Sequence, residues 1–130
     1  MSIGVLLLAH GPLADAVLAT ARAVVGTLPL ETHALGLGQG EDSEQFARRA
    51  AQAVRALDRG DGVLVLTDLY GATPANVYAR LRNEGVALRR VSGLSLPMLL
   101  RVYNYPELPL DESSRTAAAG GRNGVIEGDA

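Results

Sequence analysis

Apolar residues along the chain come in two patterns, short unbroken runs and longer stretches spaced by three and four. Ile3 to Ala9 is a run of the first kind, broken only by Gly4, and it suits a strand covered on both faces. It delivers His10 into Gly11 and Pro12, where the chain must turn. Leu13, Val17, Ala21, Val24 and Val25 then recur at helical spacing, predicting a helix with one buried face that ends near Gly26. Glu31 to Leu37 reads as a second strand. Asp42 and Gln45 stand at capping-box spacing ahead of a helix whose buried face carries Phe46, Ala50, Val54 and Leu57 and which stops by Gly60. Gly62 to Thr67 is the second unbroken apolar run and predicts a strand in the middle of the sheet.

Thr73 fits a helix N-cap and Pro74 the first helical position, so a third helix should run from there to about Asn83. Val86 to Ser92 predicts a fourth strand, Gly93 to Pro97 a loop, and Met98 to Tyr103 a short helix begun near Pro97. Residues 111–119 suit a last helix. Gly124 to Glu127, after the glycines at 120 and 121, would then supply a short antiparallel C-terminal edge strand. This β/α alternation predicts an α/β three-layer sandwich, a mainly parallel central sheet with helices on both faces and right-handed crossovers. No repeat or linker interrupts it, so a single domain over residues 1–130 is expected.

Composition narrows the chemistry more than it alters the fold. Hydrophobic residues make up 48% of the chain and charged ones 20%, enough for a real core. The first apolar run is too short to span a bilayer and lacks the basic start and cleavage site of a secretory signal, so a soluble cytoplasmic protein without membrane insertion is expected. The absence of cysteine removes disulfides, thiolate nucleophiles and sulfur-ligated metals. All 12 basic residues are arginine, which excludes a P-loop lysine, a Schiff base and a lysine general base. With a net charge of −2 and five aromatic residues (four Tyr, one Phe), the chain has neither a basic footprint nor a stacking platform for nucleic acid.

In a parallel sheet His10, Asp68 and the Ser92 to Pro97 loop lie along one edge, the edge where ligands gather in such folds. A histidine acts as a covalent nucleophile when one ring nitrogen is unprotonated and the other donates to a fixed acceptor. Asp68 could be that acceptor, stabilising the positive ring as its bond to an electrophile forms. A phosphoryl group suits the site, because the helix starting at Thr73 would aim free amides and a positive dipole end at it, with the Thr73 hydroxyl as a further donor. Each residue taken singly also has a bland reading: a structural histidine, a turn-capping aspartate, an ordinary helix start. His33 reads as a partly exposed strand residue. Gly36, Gly38 and Gly40 fit a flexible strand-to-helix connection better than a dinucleotide loop, since the third glycine comes one residue early. Arg80, Arg82, Arg89 and Arg90 suit a solvated face that could also meet an acidic partner. The two histidines have no neighbours at ligand spacing, and neither a metal nor another cofactor is expected.

Taken together, Ala9 His10 Gly11, the stretch Thr67 to Asn76, and Gly93 Leu94 Ser95 Leu96 Pro97 Met98 Leu99 resemble the mannose-type IIA family of the phosphoenolpyruvate-dependent sugar phosphotransferase system. The likeness covers nearly the whole chain, with its three motifs in the family's order and spacing. It implies that His10 is phosphorylated by the histidine phosphocarrier HPr, that Asp68 orients it and that Thr73 contacts the phosphoryl group. It also implies a IIB-type or regulatory acceptor, and a homodimer that exchanges a C-terminal edge strand, for which Gly124 to Glu127 is the candidate. Two positions depart from the family: Ala72 stands where a second glycine is common, and Ser95 where an asparagine is common. The loop should be stiffer there and one polar contact shorter. Many members continue into a IIB domain, whereas this chain stops at residue 130 and resembles a stand-alone carrier, of the kind that also serves regulatory phosphotransfer. Two other readings stay open. One is a non-catalytic module of the same fold that binds an anion or a protein. The other is the phosphocarrier subunit of dihydroxyacetone kinase, which also uses a histidine after its first strand, although Asp68 to Asn76 and Leu96 Pro97 Met98 favour the mannose type.

Overall fold

The computed structural model describes residues 2–68 and 73–128, without the side chains of residues 73–76. Four strands, β1 (Gly4–His10), β2 (Thr32–Leu37), β3 (Val63–Thr67) and β4 (Leu88–Ser92), form one parallel sheet in the order β2-β1-β3-β4. Helices follow them in turn: α1 (Leu13–Val25), α2 (Ser43–Leu57), α3 (Thr73–Leu81), α4 (Leu96–Asn104) and α5 (Leu110–Asn123), with one 3-10 turn at Arg82–Glu84. This is the α/β sandwich that the alternating runs predict.

The unbroken run of β1 is explained by what lies on its two sides. Val5, Leu7 and Ala9 pack with Leu64 and Leu66 of β3 against α1, α4 and α5. Leu6 and Leu8 point the other way, packing with Val63 and Val65 against Phe46, Val54 and Leu57 of α2 and Val77 and Leu81 of α3. A strand with helices on both faces has no solvent side, so period-two alternation disappears from its sequence. Burying each such leucine stabilises the fold by roughly 1.5–3 kcal/mol. At the edge, β4 is less covered, with Arg89 exposed and its other residues half-buried.

Several boundaries differ from the sequence expectation. In α1 the buried residues are Ala14, Leu18 and Ala21, with Val17 and Val25 alongside, whereas Leu13 and Val24 are exposed; alanines, which any pattern of large apolar residues passes over, set the face. The cap of α2 is Asp42, as expected, and its carboxylate accepts from the Glu44 N–H at 3.3 Å. Helix α4 starts two residues early, because Ser95 caps it.

The largest correction concerns the C-terminus. Gly120 and Gly121 do not end the last helix; α5 runs through them to Asn123. A Cβ at Gly120 would stand 2.5 Å from Arg101 Cβ, and one at Gly121 2.9 Å from Met98 Cε, so both glycines let α5 lie close against α4. The expected edge strand at Gly124 to Glu127 is not formed, and the described sheet is wholly parallel. Gly124 and Val125 instead donate back to Gly120 and Arg122 at the end of α5, Val125 and Ile126 are exposed, and no strand among the described residues pairs with this segment.

Candidate active site

From β1 the chain crosses by α1 to β2 on one side, then by α2 to β3 on the other side of β1. The winding therefore reverses between β1 and β3, and connections leaving their carboxyl ends diverge to open a crevice. His10 is the last residue of β1, and Asp68 directly follows β3. One oxygen of Asp68, Oδ2, accepts from the His10 backbone N–H at 3.0 Å and meets ring Nδ1 at 2.9 Å. The carboxylate thus carries on the strand pairing past its last backbone rung, Leu8 with Thr67.

This double contact settles the chemistry of the ring. Burial by itself would push the Asp68 carboxyl up, but hydrogen bonds from the His10 amide and ring, with the ring's charge, outweigh it and hold the group below the usual carboxylate value. An ionised carboxylate only accepts, so Nδ1 must carry the hydrogen, and the lone pair of a neutral ring then sits on Nε2. The side chain of Asp68 is 12% exposed and that of His10 46%, which leaves the ring accessible above a covered anchor. The second oxygen, Oδ1, is buried with no hydrogen-bond partner among the described residues.

Neighbouring backbone fixes both partners. On the β2 side the Gly11 N–H donates to the Leu37 carbonyl at 2.9 Å, and Gly11 takes φ +55°, which favours glycine. The turn folds so closely over β2 that a Cβ on Gly36 would stand 2.0 Å from the Gly11 oxygen. On the β4 side Thr67 is fully buried; its carbonyl accepts from the Leu94 N–H at 2.9 Å and its hydroxyl donates to Ser92 Oγ at 3.1 Å. The Ser92 to Pro97 loop accordingly meets the end of β3, as the sequence suggests. Ser95 Oγ accepts from the Met98 N–H at 3.3 Å, so the residue that departs from the family pattern serves as a helix cap. Sequence reasoning missed Gly36 and Thr67. A glycine inside a strand was the available signal for the first, since it often marks a close backbone approach.

Other candidates fall elsewhere. Thr73 is the first residue of α3, as expected, but its side chain, like Ala72, lies outside the described residues. His33 pairs in register with Leu6, four positions back from His10 along β1, and its ring stands 3.9 Å from Glu31. The arginines are drawn into separate internal contacts: Arg80 with Glu44, Arg89 with Asp111 at 2.8 Å, and Arg90 over the Tyr78 ring at 4.9 Å. Among the described residues no group of three or more His, Asp or Glu side chains is placed to hold a metal ion. None of the described helices is long and apolar enough to cross a membrane.

At the switch point of a parallel sheet, a carboxylate-anchored histidine stands as the candidate site of an α/β protein. The family model for the PTS system fructose IIA component, of the mannose type, matches residues 4–115. The chain belongs to that family. The mannose-specific EIIAB component of Escherichia coli K12 is 28% identical over 130 residues, covering 96% of this chain and 39% of that protein. The chain spans less than half the length of the first curated relatives it matches. Among solved structures, the mannose/sorbose specific IIA subunit from Enterococcus faecalis superimposes with a TM-score of 0.89 at 26% identity, covering 100% of this chain and 97% of that one. The IIA protein associated with the fucose utilization operon of Streptococcus pneumoniae gives 0.80 at 30% identity, over 98% and 93%. The chain is thus of the phosphotransferase-component class.

Proposed function

We propose that residues 1–130 act as a single phosphocarrier domain in which His10 accepts a phosphoryl group from phosphorylated HPr and passes it to a IIB-type acceptor or holds it as a regulatory signal. The observation that carries this reading is the two-point grip of Asp68 Oδ2 on the His10 amide and on Nδ1, which leaves Nε2 as the nucleophile. In the forward step the Nε2 lone pair forms a bond to phosphorus while the phosphorus–nitrogen bond to the donor histidine breaks, its electron pair returning to the donor ring. The His10 ring becomes positive as that bond forms, and the Asp68 carboxylate beneath it offsets the charge. Transfer onward reverses these roles.

The setting favours an anion. All four strands end at this edge and a helix starts there after each, so several positive dipole ends converge on the crevice. Helix α1 starts three residues after His10, and its cap position, Pro12, makes no side-chain cap bond to the first-turn amides. Thr73 is assigned as a phosphoryl contact on its place at the start of α3 and on the family resemblance. A site in the cytoplasm and a homodimer belong to the same proposal. For the homodimer, β4 pairs with β3 on one side and with no strand on the other among the described residues, while Val125 and Ile126 stand 83% and 84% exposed on a segment that a second copy could pair.

The test is to incubate the protein with phosphoenolpyruvate, Enzyme I and HPr and to measure intact mass. One acid-labile phosphoryl adduct, absent from His10→Ala, is expected. With the carriers shown to phosphorylate a known IIA protein, no adduct here would overturn the proposal in favour of a non-catalytic module.

A further inference from the structure

We propose that Gly36, which carries no reactive group, is a positioning residue for His10: its missing side chain makes the seat on which the Gly11 carbonyl rests, and that seat sets the nucleophile's aim. The consequence for phosphoryl transfer rests on the carrier reading above; the geometric claim does not.

Ala9 pairs with Gly36 and His10 with Leu37, and the ladder extends one step further through the Gly11 N–H bond to the Leu37 carbonyl. Gly11 then turns with positive φ, and its carbonyl comes down over β2 where a Cβ on Gly36 would be only 2.0 Å from the oxygen and 3.1 Å from the carbonyl carbon. The obstructing atoms are backbone, so no rotamer change relieves the clash. Real contacts of this kind stay above 3.0 Å, and an alanine at 36 must therefore displace the Gly11 peptide by about 1 Å. Gly11 is covalently next to His10, whose own amide and ring are both held by a single oxygen of Asp68. One acceptor serving two donors tolerates little movement, because a shift of the peptide that restores one bond angle spoils the other. Thus β2 fixes the ring by shape from one side as β3 fixes it by charge from the other.

Gly4 supplies the contrast. It lies at the opposite end of β1, and a Cβ there would stand 2.7 Å from Leu57 Cβ and 2.8 Å from the Leu57 carbonyl oxygen. Gly4→Ala therefore also meets backbone closer than 3.0 Å, by a smaller margin than Gly36→Ala, but about 20 Å from the ring.

The experiment compares the parent, Gly36→Ala and Gly4→Ala by the ¹⁵N NMR signals of the His10 ring near neutral pH and by the initial rate of phosphoryl acceptance from phosphorylated HPr. The parent and Gly4→Ala should show the same single tautomer, hydrogen on Nδ1, at equal rates, even if Gly4→Ala melts at a lower temperature. Gly36→Ala should show ring signals moved toward a tautomer mixture and a rate lower by roughly ten- to a hundredfold, the scale expected for a 1 Å misplacement. Ring signals and rate unchanged in Gly36→Ala would overturn the proposal, as would equal changes in both variants. If the parent accepts no phosphoryl group, the carrier reading fails while the ring signals still decide the role of Gly36. If Gly36→Ala does not fold, hydrogen exchange of the Gly11 amide in the parent decides: protection like that of the β1 interior supports the seat, and exchange like an open loop overturns it.

Discussion

The two ends of the same central strands are put to different uses. At the amino end strand amides are closed within the protein: the Gly4 N–H donates to Gly62, Val5 to Glu31 and Val63 to Ala87, all within 3.0 Å. Beside them the buried Thr32 hydroxyl donates to the Leu30 carbonyl at 3.0 Å and is met by the Tyr103 hydroxyl at 2.7 Å. At the carboxyl end the same strands finish in a carboxylate with one oxygen unpartnered among the described residues and a ring about half exposed. Satisfied hydrogen bonds stabilise, an accessible imidazole lone pair is free to bind an electrophile, and one strand's length keeps the two apart. Substitutions at the carboxyl end should therefore act first on chemistry, and those at the amino end on stability without chemistry.

The sharpest separation should come from His10→Ala, which is expected to abolish phosphoryl acceptance in the mass assay while leaving the melting temperature close to the parent's, because the ring is half in solvent. Next, Asp68→Asn should slow acceptance by roughly a hundredfold or more, since an amide that presents its nitrogen to the ring no longer holds the Nδ1–H tautomer. Its stability effect carries a pH signature. The folded-state pKa of Asp68 is lowered, so its contribution is fully present above the ordinary carboxylate range and is lost as pH falls through that lowered value. The difference in urea midpoint between parent and Asp68→Asn should accordingly be greatest near neutrality and shrink in acid.

Smaller effects belong to the amino end. Gly4→Ala, overpacked against Leu57, should cost about 1–3 kcal/mol in denaturant unfolding. Tyr103→Phe should cost only about 1 kcal/mol, because Thr32 keeps its bond to Leu30. Phosphoryl acceptance measured on either variant should match the parent; a slowed rate in Tyr103→Phe would show that the two ends are coupled.

This division was only partly legible in the sequence. The unbroken apolar runs of β1 and β3 declare burial on both faces, and His10 and Asp68 stand out as the first ionisable residues that follow them. Their pairing follows once the sheet is parallel. Steric facts were not legible: Gly36, Gly120 and Gly121 look alike as breaks in a pattern, yet the first seats a turn and the others let two helices touch. Periodicity records which residues are apolar and carries no information on how closely two backbones approach. The C-terminal edge strand was misread for a related reason, since Gly124 to Glu127 has strand-like composition but pairs with no strand among the described residues.

The central claim is that Asp68 holds hydrogen on Nδ1 and leaves Nε2 to react. The most direct measurement is the position of the phosphoryl group, read from ³¹P and ¹⁵N NMR of the phosphorylated protein. Phosphorus on Nε2 of His10 is the result this geometry predicts; phosphorus on Nδ1 would contradict it, because that nitrogen could not react while bonded to Asp68.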